Sequence, residues 1–285
     1  MAAAALASKD GGKRWVVSSF GFRATVIGPF SGSKIVDCDH AGLIDLKAIE
    51  RLGAESFDAI IATNPFGMLG NMDGAVDFAR RLEKSIILDN AAAFVGFDRA
   101  NHGGVFECLS FHHTKPFGFG EGGCLILDRT LEDDCKSALD FGYHGEWSNA
   151  HSALSNGKMS DSAAAFILAR HRDYDAWIVE YHRQFNRILK IGERMGYRLL
   201  MNRDLVGAGA CGNVPLICSE PISSEQIRNG KLVFRKYYKP LGEGTISHHL
   251  YDRVVNIPCH PGVGILSDAQ IEDLLAMCRR TPSAV

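Results

Sequence analysis

The chain has no Cys-x-x-Cys pair, no internal repeat, no low-complexity linker and no uninterrupted apolar run long enough to span a bilayer. An excess of charge of either sign is missing too: 31 Lys and Arg face 33 Asp and Glu, giving a formal net charge of −2 and a pI near 6.6. Near-neutrality removes the electrostatic case for nucleic acid or an anionic membrane as partner. The Ala-rich opening from Met1 to Lys9 lacks a basic n-region and is too short for a signal h-region. The eight cysteines, at 38, 108, 124, 135, 211, 218, 259 and 278, are dispersed, several of them in apolar runs. They read as buried thiols of a reducing compartment, so the expectation is a soluble, cytoplasmic protein. At 285 residues and 46% hydrophobic, the chain can bury a large core, as one big domain or as a large and a small one.

Strand-like and helix-like stretches alternate through the first half. Arg14–Phe20, Lys34–Cys38, Phe57–Ala62, Ser85–Leu88, Val105–Phe111 and Cys124–Leu127 read as strands. Asp45–Leu52 reads as a short helix, and Met72–Glu83 as an amphipathic one with Val76, Ala79 and Leu82 facing inward. This rhythm predicts an α/β fold, with a mostly parallel sheet flanked by helices. Beyond it, Leu131–Phe141 reads as helical, Gly142–Asn149 as a turn-rich loop, and Lys158 to about Met195 as one long helical stretch. The charges of that stretch, among them Arg170, Arg172 and Asp173, are assigned to a solvated face. From Tyr197, short strands (Val214–Cys218, Leu232–Phe234, Val254–Ile257) alternate with helices (Ser223–Asn229, Asp268–Met277). The expected partition is a large α/β domain over 1–150, a helical connection over 151–195 and a smaller α+β domain over 196–285.

The chemistry concentrates between Cys108 and Leu127. There Lys115 follows a strand and precedes the glycine-rich turn Gly118-Phe-Gly-Glu-Gly-Gly123. Ser110 lies five residues before it, and Asp89 ends the apolar run Ser85–Leu88. Taken singly, a loop lysine is usually a solvated charge and a strand-end aspartate a turn or cap residue. Acid, serine and lysine in that order at strand ends suit pyridoxal phosphate, because ligands of open α/β sheets sit beyond the carboxyl ends of the strands. The lysine would carry the cofactor as a Schiff base, the acid would keep the pyridine nitrogen protonated, and the serine hydroxyl would donate to the phosphate.

Longer motifs carry a family resemblance. Asn64-Pro-Phe-Gly67, Asp73, Leu88-Asp-Asn-Ala-Ala-Ala-Phe94, Ser110-Phe-His-His-Thr-Lys115, Glu121-Gly-Gly123, Asn156-Gly-Lys-Met-Ser-Asp161, Tyr237-Tyr-Lys-Pro-Leu241 and Asn256-Ile-Pro-Cys-His-Pro-Gly262 occur in collinear order. Together they resemble the DegT/DnrJ/EryC1/StrS family of pyridoxal-phosphate sugar aminotransferases, of transferase fold type I. The resemblance implies pyridoxal 5′-phosphate as cofactor, with Lys115 as the catalytic lysine and proton shuttle. It implies Asp89 on the pyridine nitrogen, Ser110 on the phosphate and Phe22 stacked on the ring. Asn156 would reach the phosphate of a neighbouring subunit, which implies a homodimer with shared active sites. The substrates implied are a keto-sugar, nucleotide-linked, and an amino-acid donor.

Two departures from the family pattern bear on these expectations. Ala92 stands where many relatives have Gln or His over the ring; it can pack on the ring but offers no polar contact. Members also carry a Gly-Thr or Gly-Ser pair whose helix-start amides cradle the phosphate. Here Ala2–Ala7 reads as the end of that helix, with Gly11-Gly12 as its stop, and no such pair precedes the first strand. The expectation is weakened cofactor affinity. It leaves open a fragment of a longer reading frame, a natural short form, or a degenerate paralogue that serves as a non-catalytic dimer partner. No metal site is expected: His112-His113 and His248-His249 are adjacent pairs, which on a strand point to opposite faces, and no acid or thiol stands at ligand spacing. Cys259-His260 reads as a packed strand end rather than a nucleophile, and Arg235 as a solvated strand arginine.

Overall fold

The computed structural model describes residues 2–9, 12–69, 72–94, 104–143, 145–147, 153–224, 227 and 235–278. Its strands are β1 (Trp15–Ser18), β2 (Lys34–Val36), β3 (Ala59–Thr63), β4 (Ser85–Asp89), β5 (Ala93–Phe94), β6 (Val105–Ser110), β7 (Gly123–Ile126), β8 (Arg198–Leu199), β9 (Ala210–Cys211), β10 (Asn213–Ile217) and β11 (Val254–Pro258). Its α-helices are α1 (Ala2–Ala7), α2 (Leu46–Leu52), α3 (Asp73–Arg81), α4 (Glu132–Ala138), α5 (Asp161–Arg172), α6 (Tyr174–Arg194), α7 (Thr245–Arg253) and α8 (Asp268–Met277). None of the described helices is long and apolar enough to cross a membrane.

Six strands form the main sheet in the order β2-β1-β3-β4-β6-β7, parallel throughout except for β7. A sheet covered on both faces selects continuous apolar strands, and every residue of β3 is buried. On one face Val16, Ile60 and Ile86 pack with Ile49 of α2 and Phe78 and Ala79 of α3. On the other, Val17, Ile61, Ile87 and Phe106 pack with α1 and with Ala138 of α4. All six residues of α1 are buried, and its small side chains allow the helix to lie close against the strands.

The second half builds an antiparallel sheet, β11-β10-β8, against α6 and α8, with Ile188, Leu189, Leu216, Ile257 and Leu275 in its core. Phe20, Cys38, Phe66 and Met68 of the first half belong to that same cluster. Polar ties add to the apolar contact, among them a strand pairing and a helix cap. The first is antiparallel pairing of β5 with β9. The second is Asp37, whose Oδ2 accepts from the Ile246 amide at 2.8 Å and whose Oδ1 accepts from the Ser247 amide at 3.0 Å. Asp37 thereby caps α7, whose own Gly244 supplies no side-chain cap.

The sheet and its helices match the expectation, with element ends shifted by at most three residues. The long helical stretch does not: it divides into α5 and α6 at Asp173, which leaves helical geometry (φ −101°, ψ 17°). An aspartate competes for backbone groups and is a poor mid-helix residue, so the break falls on it. Helix α7 was not anticipated, because its cap comes from a residue remote in sequence. The expected strand Leu232–Phe234, most of the helix expected over Ser223–Asn229, and Gly11 lie outside the described residues.

Burial by itself would raise the pKa of Asp37, but the amides of Ile246, Cys38 and Ser247 and the Ser19 hydroxyl outweigh it and hold the carboxyl below its usual range. A depressed carboxylate pKa stabilises the fold above its unfolded value and loses that contribution as pH falls through the folded one. Asp37→Ala is therefore expected to cost about 1–2 kcal/mol at neutral pH. In urea unfolding, the gap between the two proteins should narrow as pH is lowered through the carboxylate range.

Candidate active site

Parallel register sets the site. Thr63 of β3 pairs with Asp89 of β4, and Asp89 with Cys108 of β6, so three strand ends share one edge of the sheet. Side chains alternate along a strand. Thr63 and Asp89 therefore share the face of Ile61 and Ile87, and Cys108 and Ser110 that of Phe106, which is the face covered by α1.

Asp89 Oδ1 accepts from the Ala91 amide at 3.1 Å, and Oδ2 accepts weakly from the Thr63 hydroxyl at 3.4 Å. Burial pushes its pKa up, while the Ala91 N–H, the positive charge of Lys115 and Thr63 act in the opposite direction. Lys115 is half-buried, and burial pulls its pKa down against the attraction of Asp89. The two predicted residues are thus within electrostatic reach of each other. Ser110 Oγ accepts from the His112 amide at 3.3 Å, which leaves the hydroxyl proton to be donated elsewhere.

The turn bearing Lys115 is built by close contacts. The Lys115 amide donates to His112 O at 2.8 Å and the Gly118 amide to Lys115 O at 2.9 Å. A Cβ on residue 118 would lie 1.8 Å from His112 O, so only glycine fits there. Phe117 is fully buried, stacked on Phe94 at 4.0 Å and on Trp177 at 5.4 Å. Tyr181 of α6 donates its hydroxyl to Pro116 O at 3.2 Å, and Arg170 of α5 donates to Gly118 O at 2.6 Å. Arg170 also lies over the Phe117 ring at 5.5 Å. Its assignment to a solvated face is corrected: at the last turn of α5 it is half-buried against the lysine turn.

Asp89 and Ala92 are held from the other side by the turn at Asn64–Gly67. Asn64 Nδ2 donates to Asn90 Oδ1 at 2.8 Å, and Asn90 Nδ2 donates to the buried Glu107 carboxylate. Gly67 (φ 72°) lies so close to the backbone of half-buried Ala92 that a Cβ would fall 2.5 Å from it. Tyr238 accepts from the Phe66 amide at 3.2 Å and stacks on the Phe66 ring at 4.9 Å.

Phe22 follows the end of β1 and is 54% exposed, so it is no core residue; Phe20 fills that role. Asn156 is exposed and forms an isolated bridge with Asp140. Among the described hydrogen bonds and ring contacts, none links Phe22 or Asn156 to Asp89 or Lys115. Thr63 and Tyr181 were not singled out from the sequence, and Arg170 was read only as a solvated charge. Only Thr63 carried a signal, as the polar end of the strand beside Asp89.

The weaker motifs resolve individually. His248 and His249 contact Gly244 O and Arg253 within or next to their own helix. Cys259 is buried, donates to Cys211 O at 2.9 Å, and burial lifts its pKa well above the thiol range, so it is no nucleophile. His112 and His113 lie beyond the end of β6, where strand alternation no longer separates them, and Glu121 faces both.

The profile of the DegT/DnrJ/EryC1/StrS aminotransferase family matches residues 1–191. Protein Rv3402c of Mycobacterium tuberculosis is 35% identical over 116 residues, 38% of this chain and 28% of that protein. The dTDP-4-amino-4,6-dideoxy-D-glucose transaminase of Shigella dysenteriae is 32% identical over 137 residues, 46% of this chain and 37% of that protein. The matched stretches thus span well under half of these curated relatives. Among solved structures, DesI in the presence of its TDP-sugar product superposes with a TM-score of 0.76 at 20% identity, over 97% of this chain and 78% of that one. S. venezuelae DesV in complex with a ketimine intermediate gives 0.75 at 17% identity, over 98% and 82%. These structures share the fold.

Removing the charge-assisted bond to Gly118 O in Arg170→Ala is expected to cost about 1.5–3 kcal/mol in urea unfolding. Gly118→Ala should disrupt the Lys115 turn. Limited proteolysis of that variant is expected to cut between residues 112 and 121, where the wild-type chain resists.

Proposed function

The chain belongs to the DegT/DnrJ/EryC1/StrS aminotransferase family, and on that premise we propose that it is an aminotransferase using pyridoxal 5′-phosphate. Its reaction would convert a nucleotide-linked keto-sugar to the amino-sugar, with an amino acid as donor. The observation that carries this reading is the pairing of a buried carboxylate, Asp89, with a half-desolvated lysine, Lys115, at the carboxyl edge of a parallel sheet. The donor set fits the cofactor. Asp89 accepts two hydrogen bonds, whereas an ionised carboxylate can accept about four, so it retains capacity for a cationic ring N–H. Ser110 retains a proton for a phosphate oxygen.

When bound, pyridoxal phosphate supplies an aldehyde that captures amines and a protonated ring that draws electron density from the adjoining carbon. Lys115 Nζ is the amine that would hold it. Burial favours the neutral, nucleophilic form of that amine, and once released it would carry a proton between the two carbons that exchange it. The Asp89 carboxylate would keep the ring-nitrogen proton in place, an interaction strengthened by the low dielectric around it. Ser110 Oγ would donate to the phosphate, while Ala92 would pack on the ring and exclude water. Phe22, exposed beyond β1, is available to stack on it. The name of the Shigella relative and the TDP-sugar product with DesI support a nucleotide-linked sugar as substrate.

The assembly we propose is a homodimer in which Asn156 of one subunit reaches the phosphate of the other. Phe166 and Leu168 of α5 and Val179 of α6 expose apolar surface, and Phe166 stacks at 4.5 Å on Phe119 of the lysine turn. That surface therefore adjoins the site.

Titration of the purified chain with pyridoxal phosphate should give a yellow band that is lost in Lys115→Ala and bleached by an amino-acid donor such as glutamate. Because burial lowers the Lys115 pKa, the rate of band formation should rise with pH through a midpoint below the ordinary lysine value. No band at saturating cofactor would overturn the reading. Leu168→Glu is expected to shift the chain from dimer to monomer in sedimentation velocity; a wild-type monomer would refute the shared site.

A further inference from the structure

We propose that His112, His113 and Glu121 form a binding site for a divalent transition-metal ion of the zinc, cobalt or nickel class, at the neck of the Lys115 turn. Beyond Ser110 the chain leaves the strand, and the two adjacent histidine rings come together, with centroids 4.1 Å apart. Backbone pairing continues past the strand: the Phe111 amide donates to Gly122 O at 2.9 Å and the His113 amide to Gly120 O at 2.8 Å. That pairing returns Glu121 to a position opposite the histidines. His112 Nε2 lies 3.3 Å from Glu121 Oε1, His113 Nδ1 lies 4.0 Å from it, and all three ligand atoms fall within 4.8 Å of one another.

A tetrahedral ion with bonds of about 2.0–2.2 Å holds its ligand atoms about 3.3–3.6 Å apart. The His112–Glu121 edge already has that spacing. The other two, of up to 4.8 Å, would have to shorten, for which the exposed side chains of His113 and Glu121 have room to rotate above the paired backbone. Two imidazoles and one carboxylate form a donor set for an ion of this class, with solvent completing the shell. Thr114 supplies the outer hydrogen bond that ligating histidines commonly have. His112 Nδ1 lies 2.7 Å from Thr114 Oγ1, to which its N–H would donate once Nε2 binds the ion. The Thr114 amide, now 3.2 Å from Nδ1 and donating to it, would give up that contact. An ion here ties residues 112–113 to 121 and closes the neck of the segment that contains Lys115.

The test is a Co2+ titration of the full chain, stripped with chelator and free of cofactor, followed by visible absorption and calorimetry. One equivalent is expected to bind. Affinity should fall at least about tenfold in His113→Ala and in Glu121→Gln, and stay unchanged in Lys115→Ala. Circular dichroism and thermal unfolding of each variant would show whether it is folded. No saturable binding would overturn the site, as would binding indifferent to both ligand substitutions or a cobalt–thiolate charge-transfer band assigning the ion to cysteine. Metal affinity is read without turnover, so this result stands apart from the aminotransferase reading.

Discussion

The site depends on the parallel register of β3, β4 and β6. Because the three strands run the same way and pair in step, Thr63 and Asp89 end their strands level with Cys108 of β6, and the period of two turns Thr63 and Asp89 to one face. A slip of one residue would send the Asp89 carboxylate to the opposite face, among Ile60 and Ile86. The buried apolar sets on both faces make such a slip expensive. Register here is thus specified by hydrophobic packing, and the chemistry inherits its accuracy.

The second constraint is that turns of the first half are held in part from the second half of the chain. Arg170 and Tyr181 fix the lysine turn from α5 and α6, and Tyr238 accepts from the Phe66 amide. Cys211 donates to Gly67 O at 3.2 Å. In return, Asp37 caps α7 in the second half. Each tie satisfies a backbone group, and where that group is buried its loss would cost about 1–3 kcal/mol. The exchange couples the ordering of the site to the packing of the C-terminal sheet.

Electrostatically, Asp89 and Lys115 sit where burial works against both charges while their mutual attraction works for them. That balance leaves a carboxylate that a cation would stabilise and an amine whose charged form burial disfavours, which is the pair a pyridine ring and an aldehyde would engage.

Strand order along the chain, the α/β class, the strand-end acid and the lysine before a glycine-rich turn were legible in the sequence. They rest on local regularities: apolar runs, helical periodicity and glycine where backbones touch. The split at Asp173, helix α7 and the roles of Thr63, Arg170, Tyr181 and Tyr238 were not legible, because each depends on a contact with a residue remote in sequence. The pairing of Glu121 with two histidines escaped for a related reason: strand alternation was extended past the point where β6 ends. Local propensity determined which elements form and which residues bear reactive groups. Only the tertiary structure decided which of those groups meet, because close approach, burial and the desolvation that tunes Asp89 and Lys115 arise when the elements pack.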